Sequence, residues 1–169
     1  VAATERLRAL PVEQARAVLD AAKYWPDGTR GVALGLAHER FALRSEPLLP
    51  RFAEQNARTA IILQVEDPRG AAAADEIASM PGVDMLWLGH NDLSVAMGEP
   101  GAFDHPDFLN AEKATIAAAK KHGKSAGRLA VDAKQAAQFV KLGYDFVSIA
   151  GDVWLLQQAF AAGVDTIRK

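Results

Sequence analysis

The 169-residue chain has no cysteine, which removes disulfides, thiolate metal ligands and a cysteine nucleophile from consideration. No apolar run approaches the length of a transmembrane helix, so no membrane partner is expected. Basic excess is also missing. The formal net charge is -2, without the electrostatic footprint of a nucleic-acid-binding protein. The opening VAATERLRAL carries charge too early for the apolar region of a signal peptide, and the expected compartment is the cytoplasm. Walker and dinucleotide glycine patterns, nucleophile elbows and His-Glu-x-x-His are all absent.

What remains is a half-hydrophobic chain, enough for one domain over residues 1–169 with a sizeable core. Residues 1–11 are ambiguous; 5–10 could form a short helix that Pro11 interrupts. Val12, Ala15, Val18, Leu19 and Ala22 then recur at helical spacing. The stretch from Tyr24 to Gly31 breaks that helix, residues 32–36 read as loop or weak strand, and 47–58 as helix. Strands are expected at 60–66, 84–89, 124–130 and 145–150. The helices expected between and after them are 70–80, 105–122 with Asp104 as cap, 132–142 and 152–162, with 163–169 continuing after a break. Residues 91–98 read as a turn or short helix. Strands alternating with helices argue for a parallel sheet. Spacing alone slightly favours a small doubly wound sheet, because a (β/α)₈ barrel needs ~250 residues.

Glu66 and Asp92 fall at or just past the carboxyl ends of two successive strands, the edge where such folds bind ligands. Two carboxylates suit Mg²⁺ or Mn²⁺. Equally, Asp92 could be a helix cap and Glu66 could pair with Arg69 or Arg128. Gln64 lies two residues before Glu66 and points to the same face. The turn from Gly89 to Asp92 could offer free backbone N–H groups to an anion. Arg128 could face either the helices or the strand-end cavity. His122 and His105 read as helix-end residues, and His38 and His90 as loop histidines. Trp25, Trp87 and Trp154 read as core or interface aromatics.

As a set, these motifs resemble the HpcH/HpaI aldolase family. They are Leu63-Gln64-Val65-Glu66, Gly89-His90-Asn91-Asp92-Leu93-Ser94 with Met97-Gly98, His105-Pro106, Lys124-Ser125-Ala126-Gly127 and the run from Phe146 to Asp152. The loop from Tyr24 to Gly31 adds to the likeness, which spans about residues 12–160. The resemblance implies a (β/α)₈ TIM barrel of the phosphoenolpyruvate/pyruvate type, of which this chain would hold the C-terminal part. It implies class II aldol chemistry, in which a divalent cation (Mg²⁺, Mn²⁺ or Co²⁺) polarises a 2-oxo acid and stabilises its enolate, which adds reversibly to an aldehyde. Glu66 and Asp92 would hold the metal. Gln64, with Asn91 and Asp92 through backbone amides, would bind substrate, and Leu129 would lie near the aldehyde side. The family's catalytic His–Asp pair and substrate Arg would lie upstream, so neither His38 nor His90 takes those roles. Many members carry proline where His90 stands. A homo-oligomer, often a hexamer, is implied, and Trp154, Leu155, Leu156 and Phe160 could form a helical contact. A citrate-lyase-like enzyme acting on acyl-CoA, and a non-catalytic fragment that binds metal or 2-oxo acid, are the alternatives.

Overall fold

The computed structural model describes residues 3–6, 11–42 and 45–168. Five strands, β1 (Ala3–Arg6), β2 (Ile61–Val65), β3 (Met85–Leu88), β4 (Ser125–Ala130) and β5 (Phe146–Ile149), form one sheet in the order β1-β2-β3-β4-β5. Every neighbouring pair is parallel. Each new strand therefore joins on the same side of the last. A doubly wound sheet would reverse direction at a switch point. The unreversed order is the winding of a (β/α)₈ barrel, so it overturns the slight preference that spacing alone gives.

The two faces of the sheet differ. Ile61, Leu63 and Val65 are fully buried, while Ile62 and Gln64 between them are only half-buried. The first set packs under the helices with Leu86, Leu88, Ala126 and Ala130 in one core. The second set lies on the inner, barrel-facing side. Register puts Gln64 beside Trp87, Trp87 beside Gly127, and Gly127 beside Phe146. A side chain at Gly127 would come within 2.6 Å of the Trp87 ring, so glycine there makes room for an inward-facing indole.

The helices are α1 (Pro11–Ala22), α2 (Leu48–Arg58), α3 (Pro68–Ala72), α4 (Ala74–Ser79), α5 (His90–Ala96), α6 (Pro106–Lys121), α7 (Ala133–Leu142) and α8 (Asp152–Arg168), of which α8 buries no residue. Phe108, Ala111, Glu112, Thr115, Ile116 and Ala119 bury one stripe of α6 at helical spacing, against β3 and β4. Helix α7 starts where Asp132 accepts from the Gln135 N–H at 2.7 Å and ends at Gly143, whose φ of 112° is the left-handed conformation that suits glycine.

Several elements depart from expectation. Ala3–Arg6 is a strand paired with β2, so residues 5 and 6 are not helical; 7–10 lie outside the described residues. Parallel pairing with an apolar neighbour outweighs a weak local helix signal there. The alanine-rich helix at 70–80 is two helices that meet at Ala73 (φ -90°, ψ 3°), and the bend seats both Ala71 and Ile77 in the core. The cap of α6 is His105, whose Nδ1 accepts from the Asp107 N–H at 3.3 Å, rather than Asp104. Residues 152–168 form one helix across Gly163, since a helical glycine costs only about 1 kcal/mol.

Candidate functional site at the carboxyl edge of the sheet

Glu66 follows β2 and is 6% exposed. Its side chain shares the inner face with Gln64, whose Nε2 donates to Glu66 Oε2 at 2.6 Å. This charge-assisted bond aims and steadies the carboxylate. The neighbouring strand end is shaped to fit it. Gly89 N–H donates to Val65 O at 2.9 Å, which extends the ladder past β3 and seats Gly89 beside Glu66. A Cβ on Gly89 would lie 2.8 Å from both Gln64 Nε2 and Glu66 Cβ, closer than packed atoms come. The absence of a side chain at 89 is what lets the Gln64–Glu66 pair stand where it does.

Helix α5 begins at once after Gly89, which serves as its N-cap without a side-chain bond. Leu93 and Ser94 are buried and pin the helix, with the Ser94 hydroxyl donating to Asn91 O at 2.8 Å and accepting from the Gly101 N–H at 3.0 Å. Asn91 and Asp92 sit in the exposed first turn. Helix geometry leaves first-turn N–H groups without intrahelical acceptors. Asp92 is not the N-cap. It is a first-turn acid just past β3, the strand that pairs with β2, which Glu66 follows.

His90 is half-buried, its ring edge-on to Phe103 at 5.2 Å. Burial pushes its pKa below the usual imidazole range; the Arg128 charge adds to this and Asp92 opposes it. Arg128 itself faces the helices. It forms a buried ion pair with Glu112 of α6, to which the Tyr144 hydroxyl also donates at 2.9 Å. Its guanidinium lies 4.3 Å from the Phe139 ring centre and 5.4 Å from that of Phe108. Burial and the neighbouring Glu112 carboxylate push the Tyr144 phenol far upward. Arg128 is thus a fastening behind β4, and its neighbours in sequence, Gly127 and Leu129, take the inner face. Leu129 is half-buried there beside Ser148.

The remaining histidines keep structural roles. His122 caps the end of α6 and bonds Asp75 at 3.0 Å, and Lys121 reaches the same carboxylate at 2.9 Å. The hydrogen bonds of Lys121 and His122 hold Asp75 below the usual carboxylate range. His38 lies 3.4 Å from the Tyr24 hydroxyl, far in sequence from the sheet edge. Trp87 faces inward, but Trp25 and Trp154 are exposed rather than core. Sequence reasoning missed the Arg128–Glu112–Tyr144 network and the steric role of Gly89. Among the described residues, no group of three or more His, Asp or Glu is gathered closely enough to hold a metal ion.

Residues 11–159 match the model of the HpcH/HpaI aldolase/citrate lyase family. The chain is 35% identical over 156 residues to a hydroxypyruvate/pyruvate aldolase of Delftia acidovorans, covering 92% of this chain and 57% of that protein. It is 31% identical over 157 residues to a 5-keto-4-deoxy-D-glucarate aldolase of Klebsiella pneumoniae, covering 93% of this chain and 60% of that protein. Among solved structures, an HpcH/HpaI aldolase/citrate lyase family protein from Burkholderia cenocepacia superposes with a TM-score of 0.89 at 30% identity, over 99% of this chain and 65% of that one. An HpcH/HpaI aldolase from Desulfitobacterium hafniense gives 0.87 at 28% identity, over 99% and 64%. The chain therefore spans less than two thirds of the length of these relatives.

Proposed function

The chain belongs to the HpcH/HpaI aldolase/citrate lyase family, and on that footing we propose that its carboxyl sheet edge carries the cation and 2-oxo-acid site of a reversible carbon–carbon lyase. The observation that carries the proposal is the buried Glu66, bonded to the half-buried Gln64 and seated against a side-chain-free Gly89, one strand from Asp92. The relatives named as aldolases support a pyruvate-type donor and an aldehyde partner.

The donor set fits a hard divalent cation. Two carboxylates are the usual protein share for Mg²⁺, with water and substrate oxygens completing the shell, and Mn²⁺ or Co²⁺ accept the same oxygens. When bound, such a cation supplies Lewis-acid stabilisation of negative charge on the oxygens of a 2-oxo acid. The chain's own residues do the rest of the work proposed here. Gln64 holds Glu66 in one orientation. The N–H groups of Asn91 and Asp92 receive the substrate carboxylate at the start of α5. Leu129 offers an apolar wall on the inner face, and the Arg128–Glu112 pair behind β4 keeps that strand in place. Neither His38 nor His90 is assigned the proton. The first is engaged with Tyr24, and the second packs on Phe103.

The test is metal-dependent exchange of the pyruvate methyl protons with deuterium, followed by NMR. Exchange supported by Mg²⁺, Mn²⁺ or Co²⁺ and abolished by Glu66→Gln and by Asp92→Asn is the expected outcome. Undiminished exchange in both variants, or in excess chelator, sinks the proposal. A parallel screen of aldehydes against CoA thioesters separates aldolase from the citrate-lyase-like reading, and calorimetry showing pyruvate binding without turnover would leave only a binding fragment. The same reading includes a cytoplasmic homo-oligomer, hexameric by family resemblance. Trp154, Leu155, Leu156 and Phe160, exposed on α8, support such a contact, and light scattering on the eluting protein measures it.

A further inference from the structure

At the opposite end of β2 from Glu66 lies a cavity of about 230 Å³ lined by Arg30, His38, Arg40, Gln55, Arg58 and Thr59. Thr59 precedes the strand and Glu66 follows it, so a rise of about 3.3 Å per residue separates cavity and carboxylate by roughly 20 Å. We propose that this cavity is a second binding site, which takes the oxyanion group (phosphate or carboxylate) of a small molecule.

Charge is the first argument. Three guanidinium groups and an imidazole share one cavity in a chain whose net charge is negative. The carboxylates nearby are committed elsewhere. Glu39, adjacent to both His38 and Arg40, is buried and turned away. Its oxygens accept from Arg51 Nε at 3.1 Å, from Arg51 Nη2 at 2.6 Å and from the Gly35 N–H at 2.6 Å. Asp27 accepts from Asn56 Nδ2 at 3.0 Å. Arg58 has an exposed partner in Glu54 at 3.2 Å. Arg30 lies over the Tyr24 ring at 4.6 Å, and among the described residues neither Arg30 nor Arg40 makes a salt bridge.

Geometry is the second argument. The Glu39–Arg51 pair fixes the short 3₁₀ turn Ala37–Glu39, and the chain leaves it through two successive left-handed residues, Arg40 (φ 57°) and Phe41 (φ 56°). The other wall is equally fixed. Asn56 accepts from the Tyr24 N–H and donates to Tyr24 O, both at 2.8 Å, which ties the loop before Arg30 to α2, the helix that carries Gln55 and Arg58. The guanidinium groups are therefore brought together by anchored backbone. Guanidinium forks match phosphate and carboxylate oxygens in pairs, and the like charge of Arg30 and Arg40, which no carboxylate among the described residues pairs, is relieved by such a group.

Calorimetric titration of the intact chain with inorganic phosphate, and separately with malonate, tests the site. Saturable binding of at least one of the two is expected, at one per chain and at least tenfold weaker in Arg40→Gln and in Arg58→Gln. The two titrants separate a phosphate from a carboxylate ligand. Because these side chains are exposed, the variants should fold; circular dichroism checks this, and a thermal midpoint raised by the bound anion in the parent but not in Arg40→Gln is the second readout. Glu66→Gln and Asp92→Asn should bind the anion as the parent does, which keeps this result independent of the aldolase reading. No saturable binding of either anion, equal affinity in both arginine variants, or loss of binding in Glu66→Gln would overturn the proposal. So would an affinity that weakens as chain concentration rises, since an acidic group of a second copy would then be the occupant.

Discussion

Replacing Gly89 by alanine tests whether the carboxylate site depends on the packing that surrounds it. The backbone permits the change, because φ at Gly89 is -82° and needs no glycine. The obstacle is contact. The new Cβ would sit 2.8 Å from Glu66 Cβ, 2.8 Å from Gln64 Nε2 and 3.3 Å from Gln64 Cγ. Relaxed carbon contacts lie at about 3.5–4.0 Å, so the pair must withdraw by roughly 0.7–1.2 Å. Overpacking of this kind costs about 1–3 kcal/mol, and the stiffer unfolded chain returns about 0.4–1 kcal/mol. A net loss of about 1–2 kcal/mol by urea denaturation is expected. The functional effect should be larger than the structural one. Displacing the partner that orients a ligand lowers metal affinity by about 10–100-fold, and a 1 Å misplacement can cost about 10²-fold in rate. Mn²⁺ affinity by calorimetry and pyruvate deuterium exchange read these two losses. Removing Gln64 as well takes away one of the clashing partners, so Gln64→Ala combined with Gly89→Ala should lose less stability than the two single changes added together. Unchanged Mn²⁺ affinity and stability in Gly89→Ala would refute the packing argument. So would strict additivity in the double variant.

Three further outcomes follow from other parts of the molecule. Arg128→Met leaves Glu112 buried without its cation and should cost about 3–5 kcal/mol, whereas the double change with Glu112→Leu should recover part of that loss in urea denaturation, and adding Tyr144→Phe, which removes the hydroxyl left without its acceptor, should recover more. His90 has a folded-state pKa below its unfolded value near 6.5, so the unfolded chain binds more protons between the two. Its contribution is intact above the unfolded value and falls away as pH drops through that window. Stability measured from pH 7 to 5 should therefore decline less steeply in His90→Gln than in the parent. Asp132→Ala removes the cap that accepts from the Gln135 N–H and should cost about 1 kcal/mol, read as a lower thermal midpoint.

How much of this was legible in the sequence depends on what each feature needs. Strand and helix positions come from local periodicity, and β2 through β5 fall within a residue or two of the apolar runs that mark them. Strand order does not. A crossover helix of given length can return the chain to either side of the previous strand, so spacing could not separate doubly wound sheet from barrel; the register of β1 through β5 does. The Gln64–Glu66 alignment was readable because alternation in a strand fixes which residues share a face. The facing of Arg128 was not, because β4 reads Ser-Ala-Gly-Arg-Leu-Ala and small residues on both faces erase the pattern. Only the partners decide it. Glu112 sits on the buried stripe of α6, where a lone carboxylate would be costly, and Tyr144 needs an acceptor for its buried hydroxyl. Each of these polar groups looks like a defect in its own element. Together they form one network that can close only if Arg128 points outward to the helices, and alternation then turns Gly127 and Leu129 inward. The inner face at β4 is thus determined from behind, by charges that do not enter the candidate site. That is why substitution in this network should alter β4 at the site even though none of its members touches Glu66.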